Sequence, residues 1–564
     1  MLFKSRSIKL LLLCTIVFAS CKKYLDINKD PNNPLTVEVS KLLPTAESSL
    51  GSALAIGNGT AGGLSQILEV YTHQMSTRES QDQYAYTGSG FYIGTAWPTM
   101  YQGVFENLEK IIKIAGPAGD RQYVGIAKIL KAYGYSQFVD AFGDIPFSEA
   151  NRLDSSIRYP KFDDDATIYP KLIALLDEGI ADVTNATALN LHKPTTDDVI
   201  YGGNVQRWVK AANTIKLKLY TQVRKVQNVQ AQVTALLASP STLINATNES
   251  FWLPYGPNGA TDDRNPGFGD YIATQRSNHV SPWFYETLKG YRPDIFTGNP
   301  DPRLPYYIYN QIKANTVTAD PTEYRDGAFV SIYFGSRGPN RDRNQQNVIS
   351  LMGIYPVGGR YDDGQGGTAN AASGTGAAPY KFITYADRLY LEAELINAGL
   401  ATGDARAVLQ AAMTESFKQI DYVITTFVKP AQSVPAINGT AAMTTYINKV
   451  LTEYDAGNAA KKLRIIITEK WLASYGSAVD QYSDYRRTGY PVLFDPNNPA
   501  MAPGGFVQPP VNGNPQAIPQ PAVLVQLSRP YPNSLPWYQT ELETNPNAPP
   551  QKDLVNSFKV FWMP

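Results

Sequence analysis

Apolar residues return at i, i+3, i+4 and i+7 in stretch after stretch of this chain, the spacing of helices that each carry one apolar stripe. Tyr101, Val104, Phe105 and Leu108 show it, as do Ile126, Ile129, Leu130 and Tyr133, then Tyr169, Leu172, Ile173 and Leu176, then Trp208, Ala211, Ala212 and Ile215. It returns downstream in Ala386, Leu389, Tyr390 and Ala393, and in Leu463, Ile466, Ile467 and Trp471. Such helices need partners to cover their stripes, and consecutive pairs stacked on one another are how helical-repeat proteins supply them. No fixed period survives, so any repeats have diverged. The spacing predicts a mainly α fold with its scaffold over about 36–225 and 380–490.

Between about 226 and 379 the pattern gives way to recurring Pro, Gly, Asn and Asp, as in Gly256-Pro257-Asn258-Gly259 and Tyr361-Asp362-Asp363-Gly364-Gln365-Gly366-Gly367. This is turn chemistry, and a block of that size is functional or disordered. Its many rings argue against disorder, since disordered segments are poor in aromatics. A second turn-rich segment spans 491–564. Few strands are expected, as short hairpins within these blocks.

The amino terminus reads as an export signal over residues 1–20: basic Lys4, Arg6 and Lys9, an apolar run from Leu10 to Phe18, then Ala19-Ser20. The run is shorter than the ~20 apolar residues of a membrane-spanning helix. Cys21 directly after the small pair looks like a bacterial lipobox, although Phe18 stands where leucine is more usual. In that reading the thiol is acylated, with chains such as palmitate, and residues 21–564 form one tethered domain. The alternative is an ordinary signal peptide with an incidental cysteine. Cys14 leaves with the signal, so no disulfide and no thiolate zinc site can form in what remains. Zero net charge with no basic stripe gives no reason to expect a nucleic-acid partner.

Several islands, in order, resemble the SusD/RagB family of nutrient-binding outer-membrane lipoproteins, in particular its SusD-like branch. They are Cys21 to Asn28 with Asp30 to Pro34; Phe138-Val139-Asp140-Ala141-Phe142-Gly143-Asp144-Ile145-Pro146-Phe147; Asp301-Pro302-Arg303-Leu304-Pro305; Ile383 to Asp387 leading to Glu392-Ala393-Glu394; and Arg486-Arg487-Thr488-Gly489-Tyr490-Pro491. The resemblance implies right-handed helical repeats of tetratricopeptide type cradling an irregular lobe. It also implies a place on the outer membrane facing outward, a SusC-type TonB-dependent transporter as partner, and a glycan, or in some members a peptide, as ligand. Read as residues alone, Gly143 to Pro146 form a helix exit, and Arg486-Arg487 cap a helix end and pair with carboxylates.

Catalytic machinery is hard to find. His73, His192 and His279 form no metal-type pair, no G-x-S-x-G or phosphate-binding loop occurs, and no cofactor is expected. Gly57-Asn58-Gly59-Thr60-Ala61-Gly62 fits G-x-G-x-x-G but follows a helical rather than a strand pattern, so it reads as a loop. A glycosidase needs only two carboxylates and stays open as an alternative. Asp163-Asp164-Asp165 lacks calcium-loop spacing and reads as a solvated helix start. Binding a sugar calls for rings to stack on and fixed polar groups for its hydroxyls. The chain holds 36 tyrosines, and the densest ring cluster runs Tyr84, Tyr86, Phe91, Tyr92, Trp97. Candidate ligand-binding residues are therefore Tyr84, Tyr86 and Trp97, with Asn278 and Trp283, and Tyr361 beside Asp362, in the loop-rich block. For each ring the alternative is core packing; Trp208 and Trp471 lie on helical stripes and read as core. The leading expectation is a noncatalytic glycan receptor, with a peptide-binding relative on the same scaffold as the alternative.

Overall fold

A computed structural model describes residues 37–564 apart from 58–61, 79–83, 85–87, 277, 293–294, 318–321, 340, 342–345, 496–497, 499–500, 502–505, 508–522 and 526–529. The expected export signal, Cys21 and the first island lie outside the described residues, as does Tyr86.

Helices form where the stripes fall. Arg121–Phe142 buries Ile126, Ile129, Leu130 and Tyr133 and packs along Asp165–Val183, which packs in turn on Val205–Val223. In the second half Tyr385–Asn397 lies against Ala405–Val423 and Ala459–Ala473, with Ala441–Asp455 packed on the latter two. Short polar residues start these helices by accepting the free first-turn amides: Asp164 from Thr167, Asn204 from Arg207, Asp404 from Arg406 and Ala407, and Thr384 in a reciprocal capping box with Asp387. Arg121–Phe142 and Asp165–Val183 approach closely because both carry glycine at their crossing. A Cβ on Gly125 would sit 2.5 Å from the Gly179 carbonyl oxygen, and one on Gly179 would sit 2.8 Å from Ile129.

Three of the described islands meet inside this scaffold. Arg487 is fully buried between Glu394, which it grips with both terminal nitrogens, and Asp484 at 2.8 Å; Arg224 reaches Glu394 at 2.6 Å. Burial alone would raise the Glu394 and Asp484 carboxyls, but the cations beside them (Arg487 and Arg224, and Lys470 and Arg487) hold both below their ordinary values. Arg303 is likewise enclosed by Asp301 at 2.6 Å and Glu469 at 3.0 Å. Arg486 donates to the carbonyls of Asp140 and Asn533.

The described residues of the loop-rich block include short helices such as Pro266–Tyr271 and Pro282–Leu288 and antiparallel two-strand pairs. Two of those pairs tie it to the scaffold, Met75–Thr77 with Asn278–Val280 and Phe251–Leu253 with Tyr380–Ile383. No strand among the described residues exceeds four residues, so the fold is mainly α with few short strands. The last stretch of chain returns to the amino-terminal helices. Leu535 donates its amide to the Ala141 carbonyl at 2.8 Å, and Trp562, fully buried, donates to Asp140 at 3.0 Å. No helix among the described residues is long and apolar enough to cross a membrane.

Candidate ligand cavity

Gly143 ends Arg121–Phe142 in the left-handed region at φ 74°, and Pro146 forbids its continuation. The chain then forms the pair Ile145–Pro146 with Phe162–Asp163 and throws out the loop 147–161 between them. Asp163 pins the base of that loop by accepting from the Phe147 amide at 3.1 Å and the Ser148 amide at 2.7 Å. The acidic run therefore divides. Only Asp164 is the solvated cap; Asp163 and Asp165 are buried, which corrects the reading of the run as a uniformly solvated start.

Under this loop lies a cavity of about 1000 Å³, at the large end for ligand pockets. Its floor is Trp97, Pro98, Tyr101, Gln102 and Glu106, where Phe91–Pro98 passes through the π-helical stretch Thr99–Phe105 into Glu106–Ala118. π turns are rare and recur at functional sites, since they re-aim the side chains of one turn. One wall is the loop, with Glu149, Asn151, Arg152, Leu153, Arg158 and Tyr159; the other is Tyr538, Glu541, Thr544 and Asn545 around the helix Gln539–Thr544.

Polar groups in the cavity are held in place. Tyr101 donates to the Pro146 carbonyl at 2.7 Å, and burial pushes its hydroxyl well above the usual value, so it stays neutral. Asn151, in the left-handed region at φ 56°, donates at 3.0 Å to both the Tyr101 carbonyl and Glu106. Glu149 accepts from the Lys161 amide at 3.0 Å, and Glu541 from Asn545 at 2.8 Å. Rings, carboxylates, amides and guanidinium groups thus converge on one hollow, with no histidine or cysteine among the described residues that line it.

Of the ligand candidates read from sequence, Trp97 lines this cavity. It is only 3% exposed, held among Tyr101, Phe138, Phe142 and Phe162, so it serves as floor rather than free platform. The other described candidates lie elsewhere. Tyr84 is buried against His73, to which its hydroxyl bonds at 2.7 Å, and its ring packs on Tyr71, Phe334 and Tyr531. Asn278 is buried between Gln66 and Asp270. Trp283 is buried, donates to the Val492 carbonyl at 3.0 Å and carries the Arg292 guanidinium 3.9 Å from its ring centre. These three are core residues in this structure, because their polar atoms and ring faces are taken by protein. Tyr361 is half-buried against Tyr306, ring centres 4.8 Å apart, and Asp362 is held by Asn310. In the sequence Tyr101 stands on a helix stripe, and no local motif joins it to Asn151, Tyr159, Tyr538 and Glu541. In Gly57 to Gly62, residues 58–61 lie outside the described residues, and the element before is the helix Val39–Leu54, as the loop reading requires.

The described residues form a helical scaffold with a ring-lined hollow at the junction of its first helices and its carboxyl-terminal segment. Residues 31–509 match the model of the SusD-like family described as starch-binding and associating with the outer membrane, and the chain belongs to that family. Comparison with curated protein sequences finds no match. Among solved structures, a SusD/RagB family protein from Bacteroides thetaiotaomicron has a TM-score of 0.64 at 19% identity, covering 93% of this chain and 99% of that one. A SusD homologue from Bacteroides uniformis has a TM-score of 0.62 at 18% identity, with coverage of 93% and 99%. A chitin-binding SusD homologue from Flavobacterium johnsoniae has a TM-score of 0.58 at 18% identity, with coverage of 89% and 93%. At these identities the likeness is one of fold.

Proposed function

We propose that this chain is a noncatalytic receptor that captures a nutrient oligosaccharide and passes it to a SusC-type TonB-dependent transporter of the outer membrane. The observation that carries the reading is the cavity itself: half-buried Tyr101 and Tyr538 and exposed Tyr159 offer ring surface, while Glu106, Glu149 and Glu541 offer acceptors for hydroxyls. Its volume suits several sugar rings rather than one. In this reading residues 1–20 are the signal, Cys21 carries the lipid, and 21–564 is a single domain facing outward. The chitin-binding relative makes chito-oligosaccharides the first ligands to try. Calorimetric titration with chito- and malto-oligosaccharides and with peptides tests it. A glycan is expected to bind, and Tyr538→Ala to weaken it about ten-fold, the scale of one ring contact. Heat from peptides alone would replace the glycan with the peptide reading, and release of reducing sugar would make the chain a glycosidase. The intact mass of the native protein, greater than that of residues 21–564 by its acyl chains, checks the anchor.

A further inference from the structure

The outer limb of the loop 147–161 is fastened by two amides from a single turn that follows Gln539–Thr544. Asn545, 4% exposed, donates from Nδ2 to the Pro160 carbonyl at 2.7 Å, and Asn547 donates from Nδ2 to the Tyr159 carbonyl at 2.6 Å. The turn fixes its own amides. Asn545 Nδ2 also reaches Glu541 at 2.8 Å, and Asn545 Oδ1 accepts from the Asn547 backbone amide at 2.9 Å. The residue whose carbonyl Asn547 holds carries the Tyr159 ring, 41% exposed and lining the cavity. The Arg158 guanidinium lies 5.4 Å from the centre of that ring.

Resting on the glycan-binding reading above, we infer that Asn545 and Asn547 are positioning residues that hold the Tyr159 ring ready at the mouth of the cavity, so that Tyr159 is a ring the ligand stacks on. A ring carried on a free loop would have to be ordered at each binding event, and that cost would be subtracted from affinity. Two amides donating to consecutive carbonyls remove it in advance. The gain belongs in the dissociation rate, where most affinity differences within one interface reside.

The test is a double-mutant cycle on the mature protein, read by calorimetry and by dissociation kinetics with the tightest-binding oligosaccharide of the panel. Asn545→Ala and Asn547→Ala are each expected to weaken binding about ten-fold through faster dissociation, with Tyr159→Ala weaker by a similar factor. Because the amides act through the ring, adding either amide change to Tyr159→Ala should cost nothing more. Asn547 is on the surface, so its variant reports on the idea even if Asn545→Ala lowers the melting temperature. Unchanged binding in Asn547→Ala overturns the inference, as does the same loss in the presence and absence of the Tyr159 ring. A wild-type protein that binds no glycan removes the underlying reading, and this inference with it.

Discussion

Asp165 sits at the start of its helix, buried, with one oxygen accepting the Phe561 amide at 2.9 Å. Burial pushes its carboxyl up to about 7, with the charges of Asp144 and Asp164 adding to the effect. In the unfolded chain the same group ionises near about 3.9. The folded state therefore holds this proton more tightly, so the stabilisation is complete below about pH 4 and is lost as pH rises through about 7. Asp165→Asn keeps an acceptor for the Phe561 amide and removes the titration. Its stability relative to wild type should improve between about pH 4.5 and about pH 8 by about 3 kcal/mol, measured by urea unfolding at both values; an equal difference at the two pH values would mean that Asp165 is ionised throughout. Single residues also mark where reading the sequence stops working. Tyr84 and Tyr159 are both tyrosines among polar and turn-forming neighbours, yet one is enclosed by His73 and Tyr531 and the other lines a cavity. Nothing local separates them, because the difference lies in distant chain segments that arrive to cover one and not the other.

Helices are the scale at which sequence was most informative, since a stripe at helical spacing demands burial wherever the helix ends up. Ile126, Ile129, Leu130 and Tyr133 are all buried, as are Trp208 and Trp471. Which helices pair is set by something less visible, the absence of side chains at the crossing. Gly125 lies between Arg121 and Phe142 with Val183 as well as Gly179 within reach of any added carbon, and the nearest contacts include backbone. Backbone cannot step aside as the tip of a side chain can. Gly125→Ala should therefore cost about 1–3 kcal/mol despite the better helix propensity of alanine. Gly116, in Glu106–Ala118, meets nothing within 4 Å of the point where a Cβ would stand beyond its own helix and chain neighbours, but Pro117 follows it and crowds the Cβ of a preceding helical residue, so Gly116→Ala should shift stability by less than about 1 kcal/mol. Thermal unfolding of both variants checks the pair, and similar shifts in the same direction would show that the crossing can relax.

At the scale of the molecule the question is what the carboxyl-terminal segment does, because the family match ends at residue 509 and the cavity does not. Tyr538, Glu541, Thr544 and Asn545 form one wall of that cavity. Asn545 stands 385 positions from the Pro160 carbonyl it holds, a separation at which no spacing rule in sequence operates. The same segment completes the core. Trp537 donates to the Asp144 carbonyl at 2.7 Å and packs on Phe162 and Phe558, while Trp562 is enclosed with its nitrogen on Asp140 and the Arg486 guanidinium 4.8 Å from its ring. Asp140 and Arg486 come from two islands far apart in sequence, so the segment locks the first helices to the last ones. Truncating one buried tryptophan costs about 3–5 kcal/mol, and a whole protein is stable by only about 5–15 kcal/mol. Deleting residues 530–564 removes both tryptophans and leaves Asp140 without the indole partner, a loss on the order of the whole stability. The shortened chain should therefore lose its cooperative melting transition and be cut by protease within the helical scaffold, and not merely lose ligand. A truncated chain that melts like the full one and only fails to bind glycan would reduce the segment to a wall of the cavity and detach the core from its tail.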